Sequence, residues 1–104
     1  MDLKMDLGQE GLLMFFKPWQ LQCLNTLRKK DKPISSREVW EPIKNEISRA
    51  SVINFLEDMT ENTLLMKSET TGKGGHRGLY KTVYDEAGTR QYLKRVFKQR
   101  LDQL

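Results

Sequence analysis

Histidine and cysteine are almost missing from this chain of 104 residues, which holds one of each, His76 and Cys23. A lone cysteine excludes an internal disulfide framework and any multi-cysteine metal site. Cys23 falls in an apolar helical pattern and reads as a buried thiol. A lone histidine without a His or Cys neighbour gives a metal ion no ligand set, so neither metal nor cofactor is expected. No carboxylates pair at a recognisable spacing. Neither a nucleophilic triad nor a metal centre can be drawn, and the chain does not read as an enzyme. Long apolar runs are missing as well: none reaches the ~18 residues of a membrane span. The opening MDLKMDLGQEGLLMFF sets its acids ahead of its apolar patch, the wrong charge order for a secretory signal. These absences predict a reducing, cytoplasmic setting and no membrane partner.

What is present is a soluble chain with a heavily charged surface, 38% hydrophobic and 31% charged. Its length suits one domain, residues 1–104, with one modest core. Eighteen Lys and Arg stand against 14 acids, a net charge of +4. That excess is compatible with an anionic partner without requiring one. The distribution says more. Between residues 67 and 84, Lys67, Lys73, Arg77 and Lys81 face Glu69 alone, a local +3. Between residues 48 and 62 the acids Glu57, Asp58 and Glu61 crowd the second half, and Arg49 stands in the first.

Residues 1–10 show no period and are expected to fray; the cluster Leu12, Leu13, Met14, Phe15 and Phe16 is expected to dock. Pro18 opens the first helix, where a missing N–H costs nothing, and Trp19, Cys23, Leu24 and Leu27 keep one buried face. Ile34 suggests a very short strand. Ser35 to Glu38 matches a capping box for a second helix, with Val39, Trp40 and Ile43 inward; Pro42 predicts that this helix is short or kinked. Ser48 caps the third, in which Val52, Phe55, Leu56 and Met59 follow the i, i+3, i+4, i+7 rhythm. Asn62 is expected to end it in the left-handed conformation. A strand from Leu64 to about Thr70, a long glycine-rich loop and a strand from Leu79 to Tyr84 make a hairpin. Asp85 caps a last helix striped with Tyr92, Leu93, Val96, Phe97, Leu101 and Leu104. The result is an α+β chain, mostly α, ordered helix, helix, helix, strand, loop, strand, helix.

The loop TTGKGGHRGLY (residues 70–80) contains the fragment of a phosphate cradle, but the full signature fails. Gly72-Lys73 is followed by Gly74 where Ser or Thr is needed, and Lys67 stands where the first glycine belongs. A strand follows, so no helix N-terminus faces a phosphate. The loop reads instead as a hairpin tip that offers backbone N–H groups and the side chains of Lys73, His76 and Arg77 to phosphates, or as an ordinary flexible loop with solvated charges.

Three helices and a hairpin are the layout of the winged helix-turn-helix. The run ISRASVINFLEDMTENTLL (residues 47–65) resembles the recognition helix and first wing strand of winged-helix transcription regulators, closest to the penicillinase-repressor family and more distantly the multiple-antibiotic-resistance regulators. The likeness rests on Ser48, Ser51 and Val52 at the helix start, Phe55, Leu56 and Met59 on its inner side, and Leu64-Leu65 at the strand. It covers roughly residues 17–86. The chain departs from the family in having Asn62-Thr63 where a glycine is usual, Pro42 within helix two, and one helix where the family carries a longer dimerisation region.

The resemblance implies a winged-helix core over residues 17–84, an N-terminal extension over 1–16 and a C-terminal helix over 85–104. It implies a double-stranded DNA partner and a regulator, expected to be a repressor, that occupies an operator without catalysis. With the apolar stripe inward, Arg49, Ala50, Ile53 and Asn54 project from the half of the helix that enters the major groove and are the expected base contacts. Arg37, Ser48, Ser51, Lys73, His76 and Arg77 are the expected phosphate contacts. One such module buries only ~600–1,000 Å² on DNA, which favours a dimer. A homodimer interface is expected from Leu13, Phe16, Tyr92, Leu93, Val96, Phe97 and Leu101; the other reading is that the terminal segments cap each other within one chain. The rival functions are a winged-helix adaptor that binds protein and a nonspecific nucleic-acid or chromatin-binding protein.

Overall fold

Every helix start but one rests on a side chain that the sequence places at a cap. The computed structural model describes residues 3–72 and 75–104, with His76 in its backbone only. Helix α1 (Pro18–Arg28) opens on Pro18, and the Lys17 N–H donates to Gln20 Oε1 at 2.8 Å. Strand β1 (Ile34–Ser35) leads into α2 (Ser36–Trp40), where Ser35 Oγ accepts the Glu38 N–H at 3.3 Å. Helix α3 (Arg49–Glu61) is capped by Ser48, whose Oγ accepts the Ser51 N–H at 3.2 Å. After the hairpin β2 (Leu65–Gly72) and β3 (Gly75–Thr82), α4 (Glu86–Asp102) starts on Asp85, whose Oδ1 accepts the Gly88 N–H at 2.7 Å. A Cβ on Gly88 would lie 3.1 Å from that oxygen, so the glycine leaves the cap its room. Pro42 has the expected effect. It has no N–H to continue α2, and the chain tightens into a 3-10 turn over Glu41–Ile43.

The end of α3 differs from expectation. Asn62 has φ −85° and stays right-handed, while Thr63 takes φ +63°. The reason lies in the hydrogen bonds. Leu64 N–H reaches Met59 O at 2.9 Å and Thr63 N–H reaches Thr60 O at 3.1 Å, the two bonds of a Schellman turn. That turn puts the left-handed residue one position after the cap, and the cap is Asn62 itself. Its amide Nδ2 donates to Asp58 O at 2.8 Å.

The sheet is antiparallel in the order β1-β3-β2. Ile34 and Ser35 face Tyr80 and Leu79. The β2–β3 ladder runs from Leu65↔Thr82 out to Gly72↔Gly75, so most of the expected long loop is paired strand. Ladder bonds use only the backbone, which Gly and Thr supply as well as any residue. On the tip side of Leu79 the ribbon is two-stranded, and Met66 to Thr71 are exposed.

The core joins the inner faces of α1, α2 and α3 to the roots of the strands: Cys23, Leu24, Leu27, Ile34, Val39, Val52, Phe55, Leu56, Met59, Leu64, Leu65 and Tyr80 are buried. Trp19 and Phe16 meet the Phe55 ring edge-on at 5.6 and 6.2 Å between centroids. The expectation that residues 1–10 fray is overturned from Leu3 onward. Leu3 is buried, its carbonyl accepts from Arg100 Nη1 at 2.9 Å, and Asp6 N–H reaches Met14 O at 2.6 Å. The cluster at residues 12–16 docks as expected, with Phe15 against Phe97 at 5.0 Å. No helix among the described residues is long and apolar enough to cross a membrane. Three packed helices, a short first strand and a two-stranded ribbon form a winged helix-turn-helix with α4 appended.

Candidate nucleic-acid interface

The turn between α2 and α3 is fixed by a side chain that the sequence presents only as core. Trp40 Nε1–H donates to Ile47 O at 2.8 Å, across the 3-10 turn, and Ile43 is buried beneath it. Helix α3 is thereby aimed by a bond from the helix before it.

With Val52, Phe55, Leu56 and Met59 buried, the other side of α3 carries Ala50, Ile53, Asn54 and Glu57 at the same i, i+3, i+4, i+7 spacing. Arg49, Ala50 and Asn54 are exposed and Ile53 is half-buried. Among the described residues, neither Arg49 nor Asn54 has a hydrogen-bond or ion-pair partner. Ser48 and Ser51 are joined, Oγ to Oγ, at 2.9 Å, and Ser48 Oγ also accepts the Ser51 N–H. One of the two hydroxyl protons is spent in that pair and the other stays available to an outside acceptor.

Of the expected phosphate contacts, Arg37 keeps a 70% exposed side chain, 3.4 Å from Glu41 Oε1. Glu41 also meets Lys44 at 3.4 Å; Lys44 first, and Arg37 after it, holds its carboxyl below the usual glutamate range. An exposed pair of this kind exchanges readily with another anion. Arg77 is exposed on β3, as is Lys81. Lys73 lies outside the described residues, and so does the side chain of His76.

Glu57, one of the acids in the second half of α3, is engaged. Lys67 Nζ and Tyr80 Oη both donate to its Oε1, each at 2.6 Å. The Lys67 ammonium first, and the Tyr80 hydroxyl second, hold the Glu57 carboxyl below its ordinary value. Burial, then the bond to Glu57, pushes the Tyr80 hydroxyl up. Lys67 and Tyr80 face each other in the ladder, and the ammonium lies 5.7 Å from the Tyr80 ring centre. The ribbon is thus tied to α3 one turn beyond Asn54, about 4.5 Å along the axis. No local rule links residues 57 and 67. Gly78 marks the close approach, but as a glycine inside a strand it is legible only once β3 is seen to reach the tip.

The expected dimer residues divide. Phe16 and Leu93, 3% and 1% exposed, lie in the chain's own core and have no surface left for a partner, which corrects that expectation. Tyr92, Val96 and Phe97 are half-buried: Tyr92 Oη donates to Asn62 O, and Phe97 packs on Phe15. Leu13 and Leu101 remain exposed at 41% and 56%.

Comparison with known proteins addresses the fold. A possible transcriptional regulator from Methanosarcina mazei Go1 superposes with a TM-score of 0.66 at 17% identity, over 85% of this chain and 72% of that one. The ferric uptake regulator of Vibrio cholerae, whose structure revealed a rearrangement of its DNA-binding domains, superposes with a TM-score of 0.53 at 17% identity. That match takes in 69% of this chain and only 56% of the Vibrio protein. No family model and no curated protein sequence matches the chain. Both likenesses concern the fold alone, and the penicillinase-repressor likeness gains no support from them.

Proposed function

We propose that the chain is a sequence-specific double-stranded DNA-binding transcription regulator, a repressor that acts by occupying its operator as a homodimer in the cytoplasm. One observation carries the reading. The outer stripe of α3 runs Ala50, Ile53, Asn54 with Arg49 beside it, and continues into Glu57, where the ribbon is fastened. Groove-reading side chains and wing therefore share one side of the molecule, as docking of a winged helix on a duplex requires. Asn54 suits an adenine edge, Arg49 a guanine or phosphate, and Ala50 or Ile53 a thymine methyl. Arg37, Ser51, Arg77 and the tip residues Lys73 and His76 suit the flanking phosphates. The likeness of fold to two regulators supports the same reading.

Selection of fragments from its own genome, followed by binding titrations at several salt concentrations, tests it. The expected result is one enriched motif with two half-sites, bound 10³-fold or more tighter than random DNA, with a steep salt dependence (order of magnitude). Salt-dependent binding without a motif would favour the nonspecific reading. No salt-dependent shift on any fragment would favour the protein adaptor, which gains some weight from the pairing of Lys67 with Glu57 and Arg37 with Glu41.

A further inference from the structure

The Glu57 cluster is a built feature with four parts. Glu57 Oε1 takes two hydrogen bonds of 2.6 Å from the wing, one from each strand: Lys67 on β2 and Tyr80 on β3. Tyr80 is only 4% exposed, so its hydroxyl needs a partner and has this one. Lys67 reaches Glu57 by folding its stem across Gly78, where a Cβ would stand 2.9 Å from Lys67 Cε and 3.4 Å from Tyr80 Oη. Gly78 faces Glu69 in the ladder, two pairs nearer the tip and so on the same face as Lys67 and Tyr80. Glycine there opens the path that the lysine takes.

The ribbon needs such a fastening. Tipward of Leu79 it has lost β1, and a two-stranded hairpin alone is marginal in water. Its exposed residues on β2, from Met66 to Thr71, bring no apolar anchor to the body. Among the described residues, the carboxylate of Glu57 joins it to α3 beyond the buried root at Leu65 and Tyr80.

From this geometry we infer that Glu57 is a positioning residue that locks the wing to α3 through Lys67 and Tyr80, so that helix and ribbon meet a duplex as one rigid reader. The second half of this inference rests on the DNA-binding reading; the lock itself does not. Glu57 touches no DNA in this scheme. It acts through Lys67 and Tyr80 and sets the angle at which Arg77 and the tip arrive beside the groove that Asn54 reads.

The test uses the full chain and two measurements. Backbone relaxation and residual dipolar couplings of the free protein report whether the wing amides share one orientation with α3. In the wild type, order parameters along residues 67–72 and 75–80 should stay near ~0.85, and the couplings should fit one rigid body with α3. In Glu57→Ala, and in Lys67→Met, which keeps the stem and removes the ammonium, wing order should fall toward ~0.6 and the common fit should fail. The charge-reversed pair Glu57→Lys with Lys67→Glu should restore the fit. DNA titrations on the same proteins should show affinity lost alike on enriched and random sequences, with the salt slope smaller by about one unit and the base preference of Asn54 intact. Wing order and orientation unchanged in both single variants would overturn the lock, whatever the DNA result. A loosened wing in a protein that binds no DNA, wild type included, would leave the lock standing and sink the DNA-binding reading.

Discussion

Asn54→Ala separates base reading from every other role of α3. Asn54 stands sixth among the 13 residues of the helix, exposed, with no hydrogen-bond partner among the described residues. Its removal takes nothing from the core. Alanine has the higher helix propensity, by up to ~0.7 kcal/mol, so stability should hold or rise slightly. Binding should not hold. A bidentate amide–adenine pair contributes ~1–3 kcal/mol of discrimination, and at 1.4 kcal/mol per tenfold the loss is roughly 5- to 150-fold on one half-site. Two half-sites lie far enough apart for the losses to add, so a homodimer on a full operator loses ~2–6 kcal/mol. The assay is fluorescence anisotropy at fixed salt, with the enriched duplex and its single-base variants, run beside a thermal melt. Wild type should show a penalty of ~1–3 kcal/mol when the read adenine is replaced. In Asn54→Ala that penalty should vanish at this position and persist at the others. A variant that weakens on all duplexes equally while every base preference stands would refute the assignment. So would a variant that melts several degrees lower, because Asn54 would then be holding the fold.

Arg77→Ala should weaken all duplexes alike and reduce the salt slope by about one unit; a change of base preference would move Arg77 out of the phosphate set. Cys23 is fully buried, and burial pushes its thiol up to about 12 despite a backbone hydrogen bond that lowers it. Because the thiolate is the reactive form, alkylation of the native protein should wait for unfolding, and rapid native-state labelling would show that α1 is not packed as described. Glu57 titrates below its ordinary value, which makes its contribution to stability complete above the unfolded glutamate pKa of about 4.3 and lost as pH falls through the lower folded value. A carbon-detected titration of its carboxyl should give a midpoint below that of a free glutamate, and a raised midpoint would contradict the two wing bonds.

The parts legible in the sequence are those set within one helical turn. Ser35, Ser48 and Asp85 each announce a cap, and each side chain accepts the expected N–H three residues on. The inner stripe of α3 and the break at Pro42 follow from period and from a missing donor. The exposed residues of the candidate site were legible for the same reason, since the outer face of a helix is the complement of its inner face. What could not be read joins distant positions. Residue 57 meets 67 and 80, and residue 3 meets 100, through contacts whose partners no spacing names. The left-handed residue is Thr63 and not Asn62 because hydrogen-bond register, not residue type, sets its position. Thr63 takes a conformation that costs a β-branched residue about 1–2 kcal/mol, because the Schellman turn fixes the position and the sequence supplies no glycine there.

The docking of the terminal segments within one chain changes what a dimer can rest on. With Phe16 and Leu93 consumed and Phe97 packed against Phe15, the large apolar residues left exposed among the described residues of these segments are Leu7, Leu13, Leu101 and Leu104. Leu101 and Leu104 are three residues apart at the end of α4, and Leu104 N–H still reaches Leu101 O. Fully burying a leucine stabilises by ~1.5–3 kcal/mol, and Leu13 and Leu101 are already about half covered. Two protomers then gain roughly 6–12 kcal/mol from Leu13, Leu101 and Leu104 together. Association costs an estimated 4–15 kcal/mol before any specific contact forms. The balance is close to zero, so the α4 end by itself supports at most a dimer that dissociates on dilution. An operator with two half-sites supplies the missing part, because the second protomer joins at the effective concentration that the first one and the DNA impose. Sedimentation of the free chain at micromolar concentration should therefore show monomer, and the complex with a two-half-site duplex should contain two chains. Leu101→Ser should leave the first binding step unchanged and abolish the coupling to the second. A tight dimer without DNA that survives this substitution would mean that a different surface joins the two copies.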